Sequence, residues 1–177
     1  MILQIFVNIC EWQEFWDCFE SSVDNDQNLA AVLKLNYLKG LLDGQAKATI
    51  AGLELTSANY AEAVELLSDR SGKKPVIQRA HTNGLRNMLP VTQEDVLSLR
   101  KFYDNIEIHY RGLKALGVDE AVYSTIVAPD IIVKLPRNLQ LTIIRGSDYL
   151  EWNVKDLLIA LKKELELQEQ ISGRYRR

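Results

Sequence analysis

Apolar residues return along this chain every three or four positions, and no segment alternates convincingly with a period of two. On a 3.6-residue wheel Trp12, Phe15, Trp16, Phe19 and Val23 fall within about 100° of arc, with Gln13, Glu14, Asp17, Ser21 and Asp24 opposite. That is the width one helix buries against its own domain, so the aromatic run "EWQEFWDCFESSV" reads as a core-facing helix. At least one indole is expected to be nearly fully buried, with Trp16→Ala costing about 3–5 kcal/mol as a large-to-small core change.

Further helices follow. "NLAAVLKLNYLKGLLDG" starts from a candidate cap at Asn28 and is expected to stop at Gly44. "QAKATIAGL" is a short third helix, and "TSANYAEAVELLSDRSG" opens on the cap-type residues Thr56 and Ser57 and closes at Gly72. "SGKKP" is the best internal break, because Gly and Pro flank two lysines and Pro75 suits the first turn of a new helix. Beyond it come "VIQRAHTNGLRNML", stopped near Pro90, and a long helix from about Thr92 to Leu116. Val96, Leu99, Phe102, Tyr103, Ile106, Tyr110 and Leu113 share one face of that helix, and Gly117 ends it. A helix over Asp119–Lys134, bent or ended by Pro129, precedes a short helix after Pro136. A last helix from about Asn153 places Val154, Leu157, Leu158, Leu161 and Leu165 on one face. The fold class is all-α, in two small helical lobes over residues 1–72 and 73–177.

Composition leaves that picture intact: 177 residues, 47% hydrophobic and 25% charged, as in an ordinary folded protein. A net charge of −3 argues against this stretch holding nucleic acid by itself, since phosphate binding needs a clustered positive field. The apolar start, "MILQIFVNIC", lacks a basic leader and a small-residue cleavage site and is too short to span a bilayer. A soluble, cytoplasmic protein without a membrane partner is expected. Cys10 and Cys18 form no CxxC pair and have no histidine at metal-ligand spacing in sequence, so they read as free thiols in a reducing compartment.

Chemistry is sparse. His109 sits at the edge of the long helix's apolar face and reads as a packed or boundary imidazole; His81, in the polar run "QRAHTNG", is expected to be exposed. "VDND", residues 23–26, lacks the glycine and terminal glutamate of a calcium loop and reads as a turn, as does "GSD" at 146–148. There is no phosphate-binding glycine pattern. No catalytic residue, cofactor, metal ion or small-molecule substrate is expected, and an enzyme is the weakest of three readings.

The order of the segments carries a resemblance. E-W-x-x-F-W-x-x-F (Glu11 to Phe19), Y-L-x-x-L-L-x-G-x-A (Tyr37 to Ala46) and I-x-G-L-x-L-T-x-x-N-Y-x-x-A-x-x-L-L-x-x-R (Ile50 to Arg70) stand in the first half. L-R-x-F-Y-D (Leu99 to Asp104), L-K-A-L-G (Leu113 to Gly117), K-L-P (Lys134 to Pro136), and E-W followed by L-L-x-A-L-K-K-E (Leu157 to Glu164) stand in the second. Over residues 11–168 the chain resembles the capsid region of the Gag polyprotein of BEL/Pao-class retrotransposons. The resemblance implies a two-lobed capsid fold, similar to retroviral capsid proteins and to the domesticated neuronal protein Arc. It also implies self-assembly into a particle shell that packages the element's RNA, with no catalysis.

Three departures point to a fragmentary or domesticated copy. Ser71 stands where the family usually has Phe, "IFVNIC" lacks the glycine of the usual lead-in, and no zinc-knuckle segment follows "SGRYRR". RNA contact is therefore expected through a missing downstream segment, with Arg174, Arg176 and Arg177 a short solvated tail.

Two surfaces follow from the resemblance. By its place in the helix order, Asp119–Lys134 corresponds to the helix through which capsid-type C-terminal lobes dimerise. Val122, Ile126 and Val133 lie on one side of it and Tyr123, Val127 and Ile131 on an adjoining one, so a homo-oligomer contact is expected at Val122, Tyr123 and Ile126. The alternative is a non-assembling adaptor that holds peptides at Trp12 and Trp16 in the first lobe, with one indole left partly exposed.

Overall fold

Among the described residues the helical period is realised in nine α-helices, with no strand. The structure is a computed structural model described for residues 9–92, 95–145, 148 and 151–174. It divides into two compact units, Met1–Ala80 and His81–Arg177. The sequence places a division after Gly72; the unit boundary instead falls inside one helix, which runs without interruption from Lys74 to Arg86.

The first unit contains α1 (Trp12–Phe19), α2 (Ala31–Leu41), α3 (Gly44–Ile50), α4 (Ala58–Leu67) and the start of α5 (Lys74–Arg86). Phe15 and Phe19, four residues apart, are buried together with Trp12, while the polar positions between them face solvent. Leu35, Leu38, Leu42, Ile50 and Leu67 are sealed from water, each worth about 1.5–3 kcal/mol relative to exposure. Helix α4 packs against α2 and α3. Its end widens into a π-helical turn over Ser68–Gly72, as α1 does over Glu20–Asp24.

Two boundaries differ from expectation. Asn28 does not cap α2, whose N-cap is Ala30. Gly44 opens α3 at φ +55° rather than stopping α2, and the Asp43 carboxylate accepts the Gly44 N–H at 2.7 Å. Asp and Gly together make a helix start as readily as a stop, because the carboxylate satisfies an orphan donor.

The second unit has one continuous core. It contains the rest of α5, α6 (Val96–Ala115), α7 (Ser124–Ile132), α8 (Arg137–Ile144) and α9 (Val154–Arg174). Asp95 caps α6, and Gly117 at φ +67° ends the helix one residue beyond its C-cap. Leu99, Phe102, Tyr103, Ile106 and Leu113 turn inward from α6, against Val154, Leu157, Leu161 and Leu165 of α9. Asn153 and Asp156 bond each other reciprocally at the start of α9, a capping box. The helix expected over Asp119–Lys134 is shorter, with a 3-10 turn at Glu120–Val122 before α7, and Pro129 lies inside α7.

Candidate functional site

On α1, Trp12 is 3% exposed and Trp16 half-buried, so the cost expected of removing Trp16 belongs to Trp12. The two indoles stack at 5.6 Å with 14° between their planes. Trp12 lies against Gly72, and Trp16 offers the one partly exposed ring that a peptide groove would require.

The turn after α1 is structural. The Asp24 carboxylate accepts the Tyr60 hydroxyl, and Asp26 accepts the Asn28 N–H at 2.8 Å, which closes the turn on itself.

In the second unit, α7 separates the three residues expected at an interface. Val122 and Ile126 are 63% and 59% exposed, and Val133, further along the same side, is 69% exposed. Tyr123 is 5% exposed and belongs to the core with Val127 and Ile131, so it is not part of the outer face. The start of α7 is fixed by α9. Ser124 Oγ accepts the Val154 N–H at 3.2 Å, and a Glu120 carboxylate oxygen accepts the Lys155 N–H at 2.9 Å. These side chains satisfy donors that every helix N-terminus leaves open, with a carboxylate at the positive end of the dipole. With the inner side fixed this way, Val122 before α7, Ile126 within it and Val133 at its end are left outward.

The third feature was not anticipated. His81 is buried, not exposed as its polar neighbours suggest, because Ile77, His81 and Leu85 recur at four-residue spacing on one face of α5. Its Nδ1 lies 3.1 Å from Nδ1 of His109, with 74° between the rings. Each imidazole rests on the other helix's glycine: a Cβ on Gly112 would meet His81 at 2.2 Å, and one on Gly84 would meet His109 at 2.4 Å. The signal available in the sequence was a repeat, His-x-x-Gly at "HTNG" and again at "HYRG". Burial lowers the pKa of both rings, and for His81 the neighbouring His109 adds to it, so both are biased towards the neutral form.

Two pockets lie in the second unit. One is lined by Met88–Thr92, Ser98, Lys101, Phe102 and Asn105, the other by Trp152, Lys163, Glu164 and residues of α8. Among the described residues, no helix is long and apolar enough to cross a membrane. Cys10 and Cys18 form no disulfide. Gly146 and Ser147 of the expected turn, and Arg176 and Arg177 of the expected tail, lie outside the described residues.

An all-α chain of two compact units is thus the class that the fold defines. The chain belongs to a family of proteins of unknown function, DUF1759, whose model matches residues 6–151. That family is typically found in retrotransposon Gag-Pol polyproteins and is not an enzymatic family as such. No curated protein and no solved structure matches the chain.

Proposed function

We propose that this chain is a Gag-like capsid protein of a BEL/Pao-class retrotransposon that self-associates into a particle shell in the cytoplasm. The observation that carries the proposal is the two-sided character of the segment Val122–Val133, which contains α7. Tyr123, Val127 and Ile131 are core, while Val122, Ile126 and Val133 leave an apolar stripe in water. Such a stripe costs solubility unless a partner covers it. A second copy presenting the same stripe is self-complementary to it in a two-fold contact. The family's occurrence in retrotransposon polyproteins supports the same reading. With a net charge of −3, the RNA of such a particle would be held by a basic segment outside this stretch. Sedimentation velocity across a concentration series, with negative-stain microscopy of the same samples across salt, tests the proposal. Growth of dimers and larger species with concentration supports it, and a strictly monomeric chain contradicts it.

One observation favours a second reading, an adaptor that binds peptides through the first unit. Trp16 is half-buried at the edge of an otherwise buried aromatic stripe. A monomeric chain whose tryptophan emission shifts on peptide binding, with the shift lost in Trp16→Leu, would favour the adaptor over the shell.

A further inference from the structure

Self-association makes no use of the His81–His109 pair, and core packing alone does not call for it. A buried position flanked by Ile77 and Leu85 is most simply filled by a leucine, yet two imidazoles stand here with their Nδ1 atoms 3.1 Å apart. The surroundings fix that approach. Gly84 and Gly112 remove the side chains that would occupy the space of the rings, and each ring then lies on backbone. A helical glycine costs about 0.5–1 kcal/mol relative to alanine, so two of them mark a close approach that the fold maintains.

We propose that His81 and His109 form a two-imidazole site for a divalent transition-metal ion of the zinc, copper or nickel class, with both Nδ1 atoms as ligands. Neutral imidazole is the nitrogen ligand these ions prefer, while harder ions such as magnesium and calcium take oxygen. The distance suits one ion. Two nitrogens 3.1 Å apart, each about 2.05 Å from a shared metal, subtend about 98° at it. That angle lies between square-planar and tetrahedral coordination, so the separation of the two nitrogens suits a shared ion. Without metal, one ring donates its Nδ1–H to the other's Nδ1. On binding, the donor ring takes the Nε2–H tautomer, both Nδ1 lone pairs face the metal, and no net proton is released. Bound there, the ion ties α5 to α6.

The test is a Zn2+ titration of the purified, chelator-treated full chain, followed by calorimetry and by 15N NMR of the imidazole nitrogens. The proposal predicts saturation at one Zn2+ per chain, movement of both Nδ1 resonances, and binding at least tenfold weaker in His109→Gln. Failure of the chain to bind Zn2+, coordination read at other nitrogens, or unchanged affinity in His109→Gln would each overturn it. Should His109→Gln fail to fold, as judged by circular dichroism, the Nδ1 resonances of the parent chain decide alone. Unmoved, they leave an ordinary N–H···N hydrogen bond between the rings.

Discussion

The indole of Trp12 lies directly on the backbone of Gly72: a Cβ built on that glycine would stand 2.8 Å from Nε1 of the ring. The first helix and the turn that closes α4 are thereby held against each other within the first unit. Trp12→Ala should cost about 3–5 kcal/mol, since it empties a buried site that the surrounding helices refill only in part. Gly72→Ala should cost about 1–3 kcal/mol by overpacking the same contact. Denaturant melts measure both, and wild-type midpoints would show that the contact is loose.

Glycine substitutions in helices should divide by what a methyl group meets. Gly112→Ala drives a Cβ to 2.2 Å from the His81 ring and should destabilise the chain by about 1–3 kcal/mol. Gly40→Ala, in α2 with nothing within 4 Å of the added carbon, should be stabilising by about 0.5–1 kcal/mol through helix propensity. Opposite shifts in thermal midpoint are the expected result.

Much of this was legible in the sequence, and the exceptions share a cause. The inward faces of α6 and α9 follow from apolar spacing alone, because a stripe about 100° wide leaves one way to bury it. Leu99 and Ile106, and Leu157 and Leu161, are buried accordingly. The spacing on α7 also separated Tyr123, Val127 and Ile131 from Val122, Ile126 and Val133, but periodicity cannot tell which of two apolar sides faces the core. That choice was set by Ser124 and Glu120 bonding to the start of α9, contacts about 30 residues apart in the chain. His81 was hidden for a similar reason. Its neighbours in sequence are polar, and the glycine that makes room for it, Gly112, is on another helix.

Acid should weaken the start of α6. The Asp95 carboxylate accepts the Ser98 N–H and the Ser98 hydroxyl, both at 2.8 Å, and these bonds hold its pKa below the ordinary 3.8. A carboxyl whose folded pKa is depressed stabilises the fold above its unfolded value, and loses that contribution as pH falls through the folded one. Asp95→Asn keeps a capping oxygen without the titration. The drop in urea midpoint between about pH 7 and pH 3 should therefore be smaller in Asp95→Asn than in the parent. An equal drop would mean that the cap contributes nothing in solution.

Charge placed on the two sides of α7 should have opposite consequences. Tyr123→Asp buries a carboxylate in the core of the second unit and should abolish cooperative unfolding or lower the melting midpoint severely. Val122→Asp, 63% exposed in the parent, should melt within about 0.5 kcal/mol of it at concentrations where the parent is monomeric, as surface substitutions do. Paired thermal melts check this, and equal damage from both would place the outer stripe inside the fold.

The capsid-like account rests on that outer stripe being covered by another copy of the chain. Sedimentation velocity of Ile126→Asp against the parent, at matched concentrations and with circular dichroism to verify folding, tests it most directly. The account predicts a parent that associates as its concentration rises and a folded Ile126→Asp that stays monomeric. A parent that remains monomeric at every concentration, or an Ile126→Asp that associates as the parent does, would contradict it.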